Sequence, residues 1–254
     1  MSIKQIILAF GLLTLGLGHA QEQALFTDAT RHYNQGEYRE ALENYGKILE
    51  QGEHSAALYF NMGNCHYKLG DIGPSIYYYE KALLLSPRDG EILNNLAYAQ
   101  NMRLDAIQEM PKSDIAKFYD GLVSTLTYDQ WAYAAVLLIM LFVVGYLCYY
   151  FLRAANHKRI ALISGLLALG LGALSLLFAS LEQQRYNNDN PAIVLAKEVK
   201  VNAEPNPGSS TVFTLHEGTK VKVLEALGDW EKIRLADGQT GWLLAEGIKK
   251  IKDF

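Results

Sequence analysis

Two uncharged apolar runs, Trp131–Leu152 and Ile160–Leu181, constrain this chain more than anything else in it. Each is 22 residues long. At about 1.5 Å rise per residue, a helix of that length crosses the hydrocarbon core of a bilayer. Trp131, Tyr133, Tyr149 and Tyr150 lie towards the ends of the first run, where amphipathic rings favour the membrane–water interface. Gly165, Gly170, Gly172, Ala173 and Ser175 in the second run would let two helices pack closely. The connection 153–159 carries Arg153, Lys158 and Arg159, whereas the outer flanks carry Asp120, Asp129, Glu182 and Asp189. The positive-inside rule puts that connection in the cytoplasm. The expectation is a two-helix transmembrane hairpin with spans at 131–152 and 160–181. Neither run holds an ionisable Asp, Glu, Lys or His, so neither offers an ion or proton pathway.

The start of the chain agrees with that orientation by a separate set of residues. Lys4 precedes an apolar run from Ile6 to Leu17, and Gly18-His19-Ala20 follows. This reads as a secretory signal peptide over 1–20; the alternative is an uncleaved N-terminal anchor. Either way residue 21 is expected outside, in the periplasm or its equivalent, and the residues after 181 with it. The expected location is the bacterial inner membrane.

Between the signal and the first span the sequence repeats with a period of 34 residues, 22–55 against 56–89. Gly36 matches Gly70, Tyr45 matches Tyr79, and Lys47 matches Lys81. That period belongs to helix–turn–helix arrays. Small residues at Gly63 and Ala82 let paired helices approach, aromatics at Tyr59 and Tyr79 fill the space between them, and Gly70-Asp71 turns the chain. Pro87 ends the second helix. With Gly63, Gly70, Tyr79, Ala82 and Pro87 in place, 56–89 resembles the tetratricopeptide repeat. Copy one has Ala29 for the first Gly and lacks the Pro. A further helix, Ile92–Met102, starts a partial third copy over 90–104, expected to cap an all-α solenoid spanning 21–110.

The first helices of such repeats line a concave groove. Helical spacing sets Phe26, Thr30 and Tyr33 there from copy one, Phe60, Asn61, Asn64 and Tyr67 from copy two, and Asn94, Asn95 and Tyr98 from the third helix. An asparagine donates and accepts at once, which suits it to the backbone of an extended peptide. Two readings stand: a peptide groove centred on Asn64 and Asn95, or side chains that cap helices and pack between repeats. Some relatives grip a C-terminal carboxylate with lysines beside such asparagines. Phe26 and Glu91 occupy two of those places here, which argues against a carboxylate clamp.

Residues 111–130 contain Ile115, Phe118, Tyr119, Leu122, Val123 and Leu126 at helical spacing. They read as a juxtamembrane amphipathic helix, lying either on the membrane surface or against the repeats. Thr127-x-x-Gln130 is a capping box for the first span.

Beyond a polar linker, 182–191, the period changes to two. Val199/Val201, Val221/Val223 and Ile233/Leu235 alternate with lysines and arginine, separated by turn signals at Pro205–Gly208, Glu217-Gly218, Gly228-Asp229 and Asp237-Gly238. Short strands spaced this closely over 192–254 predict a small all-β barrel. The stretches Leu215–Val221, Gly228-Asp229-Trp230 and Asp237–Leu243 resemble a bacterial SH3-like domain. Such domains bind cell-wall peptides or partner proteins; Trp230 and Trp242 either line a binding face or fill core and turns.

Residues 21–110 hold seven Lys/Arg against thirteen Asp/Glu, and no basic patch suggests nucleic acid. The six histidines are scattered without metal-ligand spacing, and no phosphate loop or nucleophile elbow occurs. No catalysis and no cofactor is expected. Of the two cysteines, Cys148 lies in a span and Cys65 in a repeat; a disulfide between them is not expected, and Cys65 is expected buried. The whole order resembles the BatE-like family of bacterial aerotolerance operons. That resemblance implies partners among the membrane proteins of a Bat-type complex, some with von Willebrand factor A domains, and a MoxR-type ATPase. It implies a non-catalytic scaffold linked to oxidative stress or envelope integrity. The rival expectation is a peptidoglycan-binding sensor acting through the SH3-like domain.

Overall fold

In the computed structural model the described residues are 23–108 and 110–253; the expected signal peptide lies outside them. The chain forms two compact units. Among the described residues, one contains 23–108 together with 190–253, and the other is Met110–Asp189.

The first unit begins with helices that realise the repeat. Helix α1 (23–35) pairs with α2 (Tyr38–Glu50), α3 (Ala56–Leu69) with α4 (Ile72–Leu85), and α5 (Gly90–Gln100) stacks on α4. Gly36 and Gly70, one repeat apart, both have φ of +82°, the left-handed conformation that ends a helix at small steric cost only for glycine. Gly63 lets α3 and α4 touch: a Cβ there would stand 2.6 Å from a ring carbon of Tyr79. Ala29, Ala41, Tyr45 and Ile48 of copy one pack with Leu58, Met62 and Cys65 of α3 into one apolar cluster. Cys65 is fully buried, and burial pushes its thiol up to about 12. Ser55 and Asp89 cap α3 and α5 through their side chains. Helix α4 ends just before Ser86-Pro87.

The C-terminal segment forms an antiparallel sheet of β1 (Pro191–Val194), β2 (Glu198–Asn202), β3 (Thr211–His216), β4 (Lys220–Leu227), β5 (Trp230–Arg234), β6 (Thr240–Leu244) and β7 (Ile248–Lys250). The strand order is β3-β2-β6-β5-β4-β1-β7. Alternation does what the sequence asks: Val201, Leu215, Val221, Val223, Ile233, Leu235 and Leu243 share one core, while their lysine neighbours point away. Gly218, Gly228 and Gly238 take positive φ in the turns.

Repeats and sheet are not separate bodies. Ile193 and Ile251 are buried in the same cluster as Tyr59, Ile76, Tyr77 and Tyr79 of the repeats. Helix α4 supplies the polar part of this joint. Lys220 pairs with the buried Glu80 at 2.7 Å, and Lys81, also buried, pairs with Asp253. Tyr77 donates to Asp253 at 2.7 Å. Beyond α5, Asp105 accepts from the His216 backbone N–H and side chain, each at 2.7 Å, and from the Thr219 hydroxyl at 2.6 Å. Lys220 and Asp253 are partly exposed, so these ion pairs add little net stability. The turn at Gly218 sits so close that a Cβ there would lie 2.8 Å from Ile76 Cδ1.

The second unit is helical: α6 (Asp114–Val123), α7 (Tyr128–Phe151) and α8 (Ala155–Asn188). Both α7 and α8 are long and apolar enough to cross a membrane. Thr127 and Gln130 form the expected capping box. Gly165, Ala168, Gly172 and Ser175 make the buried seam of α8. A Cβ on Gly145 would stand 3.0 Å from the Ala161 carbonyl oxygen, so the two helices meet backbone to backbone. Gly170 and Ala173 fall outside that seam, on the exposed side. Three sequence boundaries shift. Residues 155–159 of the expected loop already belong to α8, leaving Leu152–Ala154 as the connection. Helix α8 also continues through Asn188, into the expected linker, because Glu182–Asn188 has no Pro or Gly to stop it. The amphipathic stretch 111–130 is helical only over α6 before α7 begins.

Candidate functional site

The first helix of each repeat and α5 enclose a cavity of about 430 Å³. Its walls include Thr30, Tyr33, Phe60, Asn61, Asn64, Tyr67, Asn95 and Tyr98, eight of the ten side chains placed there from the helical spacing. Phe26 turns instead onto the Tyr45 ring, with centroids 5.5 Å apart. Asn94 is exposed and outside the cavity; on α5 it stands one helical step, about 100°, from Asn95. Lys68 and Glu91 line the cavity together, one cation and one anion. Lys68 and Tyr79 were not foreseen. Lys68 lies one turn after Asn64 on α3, where the helical spacing already pointed.

One side chain organises the floor. Asn64 Oδ1 accepts from the Tyr79 hydroxyl at 2.6 Å and from Asn95 Nδ2 at 3.1 Å. A single oxygen thus ties α3, α4 and α5. Asn64 therefore packs between repeats and lines the groove as well. The Asn64 amide N–H groups and the Asn95 carbonyl oxygen have no partner among the described residues, which leaves a donor and an acceptor side by side. Burial pushes the Tyr79 and Tyr33 hydroxyls in these walls above the usual phenol range. The groove thus offers aromatic surface and amide hydrogen-bonding groups beside one cation and one anion.

The sheet bears a second concavity, of about 660 Å³, lined by Val199, Pro207, Trp230 and Leu244 with Glu198, Lys200 and Glu246. Trp230 is half-buried on its wall. Trp242 does not join it: its side chain is buried and lies under Lys232 Nζ, 5.6 Å from the ring centroid. The two tryptophans sit at β5 and β6 positions that pair with Leu244 and Lys232, not with each other. Arg153, Lys158 and Arg159 flank the α7–α8 connection, with Lys158 Nζ 5.7 Å from the Tyr149 ring centroid.

Comparison with known proteins names the two modules. Residues 56–89 match the tetratricopeptide repeat model and residues 197–249 the bacterial SH3 domain model. Among curated proteins, the mouse tetratricopeptide repeat protein 16 is 33% identical over 93 residues, 35% of this chain and 11% of that protein. Photosystem I assembly protein Ycf3 of Cyanophora paradoxa is 29% identical over 97 residues, 37% of this chain and 56% of that protein. Among solved structures, the TPR2AB-domain:pHSP90-complex of yeast Sti1 matches at 18% identity and a TM-score of 0.29, covering 65% of this chain and 59% of that one. The chain spans 11% and 56% of the two curated relatives' lengths. It carries tetratricopeptide repeats, which are protein-interaction modules, and a bacterial SH3 domain, a type compatible with cell-wall binding.

Proposed function

We propose that this chain is a non-catalytic, membrane-anchored scaffold that holds an extended segment of a partner protein in the repeat groove, on the outer face of the bacterial inner membrane. The observation that carries this reading is the groove itself: an aromatic channel with an amide donor beside an amide acceptor, flanked by Lys68 and Glu91. The partners we favour are other membrane proteins of a Bat-type complex, with an aerotolerance or oxidative-stress role, as the whole-chain resemblance implies. Topology is supported by the fold of the first unit. Segments before and after the hairpin share one apolar core, so they occupy one compartment, and the chain between them crosses a membrane an even number of times. Two spans with the basic Arg153/Lys158/Arg159 turn inside satisfy this.

The groove is tested without disturbing the Asn64 tie. Tyr98 is exposed on the cavity rim, and Glu91 is its anionic wall. Tyr98→Ala with Glu91→Lys should deplete proteins that co-purify with the tagged chain from native membranes, at unchanged helicity by circular dichroism. Undiminished co-purification would contradict the reading. A second reading, a peptidoglycan-binding sensor, draws on the Trp230 concavity. In the intact chain, Trp230→Ala should abolish sedimentation with purified cell wall if that reading holds. If wild-type chain fails to sediment, the sensor reading falls.

A further inference from the structure

Helix α6 presents an unusual division of its surface. Ile115, Phe118, Tyr119 and Leu122 follow one another at three- and four-residue steps, so they form one stripe. Their exposure is large for apolar side chains, 83% at Ile115 and 74% at Phe118. A second sector faces the hairpin. Asp120 pairs with Arg185 of α8 at 3.3 Å, and the Val123 carbonyl accepts from Trp131 Nε1 at 2.9 Å. At 3.6 residues per turn this sector begins roughly a quarter-turn from the centre of the apolar stripe, at Val123, and runs round towards the far side, at Asp120. Lys117 and Ser124 lie about opposite the stripe, and Asp114 roughly a quarter-turn from it on the other flank.

Hairpin to the side, apolar stripe a quarter-turn away and polar groups opposite is the arrangement of a helix lying flat beside two spans, at the edge of a bilayer. The end of the hairpin that α6 touches is also its aromatic end. Trp131 meets Phe178 with ring centroids 5.0 Å apart, and Tyr128 meets Tyr186 at 5.7 Å. Arg185 and Asp129 mark where the apolar runs give way to charge. Trp and Tyr collect at the headgroup level, so this end of the hairpin fixes the height of α6. Only four residues, 124–127, separate α6 from α7, too few to carry it far from that level.

We propose that the Ile115/Phe118/Tyr119/Leu122 face of α6 is a lipid-docking surface, inserted at the boundary between headgroups and acyl chains of the outer leaflet. It rests on the reading of α7 and α8 as membrane spans. Its consequence is that the anchor is a three-point foot, two spans and one surface helix. Such a foot resists rotation of the hairpin about its own axis.

The test uses the full chain with Cys148→Ser, reconstituted in phosphatidylcholine–phosphatidylglycerol vesicles; Cys65 is buried and its thiol unreactive while folded. Single cysteines at Phe118→Cys, Lys117→Cys and, in mid-span, Leu141→Cys carry an environment-sensitive fluorophore. Expected is loss of the position-118 signal with shallow spin-labelled lipid and none with aqueous iodide, the reverse at position 117, and loss with deep spin-labelled lipid at position 141. Iodide quenching at 118 equal to that at 117 overturns the proposal, as does a 118 label shielded from both quenchers, which would mean that protein covers the stripe. If the 141 label escapes lipid quenching, the span reading itself is what fails.

Discussion

Asp105 is the residue on which the joint between repeats and sheet turns. Burial alone would raise its pKa. Hydrogen bonds from the Thr219 hydroxyl and from the His216 backbone and ring outweigh burial and hold it below the ordinary 3.8. His216 moves the other way: its hydrogen bond to Asp105 lifts it above 6.5. A histidine raised on folding stabilises fully below its unfolded value and loses that contribution as pH rises through its folded value. The aspartate partner stays ionised until pH falls below 3.8. The stability deficit of His216→Gln should therefore be large at about pH 5.5 and shrink by about pH 8.5, as read from urea unfolding of the chain in detergent. A pH-independent deficit would remove the ion pair from the account. Asp105→Ala, which leaves three donors unanswered, should cost about 2–3 kcal/mol. Cys65 makes a second residue-scale prediction. In a Cys148→Ser background its alkylation should be negligible in the folded chain and should rise in step with unfolding. Fast alkylation in native conditions would contradict its burial. The burial of Cys65 could be read from its place on the repeat. The pairing of Asp105 with His216 could not, because nothing local relates residues 111 positions apart.

At the scale of elements, α4 explains why the joint was missed. The second helix of an outer repeat ordinarily shows solvent a polar face. Here nine of the fourteen residues of α4 are buried, Glu80 and Lys81 among them. The signal was in plain view: Tyr77-Tyr78-Tyr79 cannot all face one side of a helix, and a helix apolar all round is a buried helix. Lys47 and Lys81 align in the repeat, yet Lys47 bonds to Asn44 within its own helix while Lys81 reaches Asp253. Periodicity reported their equivalence and was silent on what each meets. The groove was largely legible, because helical spacing alone gathers Tyr33, Phe60, Asn64 and Tyr98. The role of Asn64 as an inter-repeat tie needed the packed structure. Two glycines test these contacts. Gly63→Ala drives a methyl into the Tyr79 ring and should cost about 1–3 kcal/mol. Gly218→Ala combines strain at φ +83° with overlap on Ile76 and should lower the thermal midpoint while leaving the helical signal of the folded chain unchanged. A neutral result at both positions would mean that the helices and the joint are looser than described.

At the scale of the molecule, the repeat groove and the Trp230 concavity are fixed to one another through a shared core. Tethering two modules to a hairpin would raise their effective concentration. A shared core does something stronger: it sets the angle between the repeat groove and the Trp230 concavity, so a partner touching both must match that geometry. On the proposed reading of α7 and α8 as spans, it would also have the hairpin leave from and return to one side of the membrane. The measurement that bears on this most directly is a cross-link across the joint. A Cβ at Gly73 would stand 3.2 Å from Glu217 Cβ, a few tenths short of the usual disulfide separation, in residues 144 positions apart. In a Cys148→Ser background, Gly73→Cys with Glu217→Cys should form a disulfide in cells without added oxidant, seen as faster migration that reductant reverses. Formation reports both contact and an oxidising, extracytoplasmic compartment. Absence of the bond even after mild oxidant, with each single variant folded, would show that repeats and sheet are not one body.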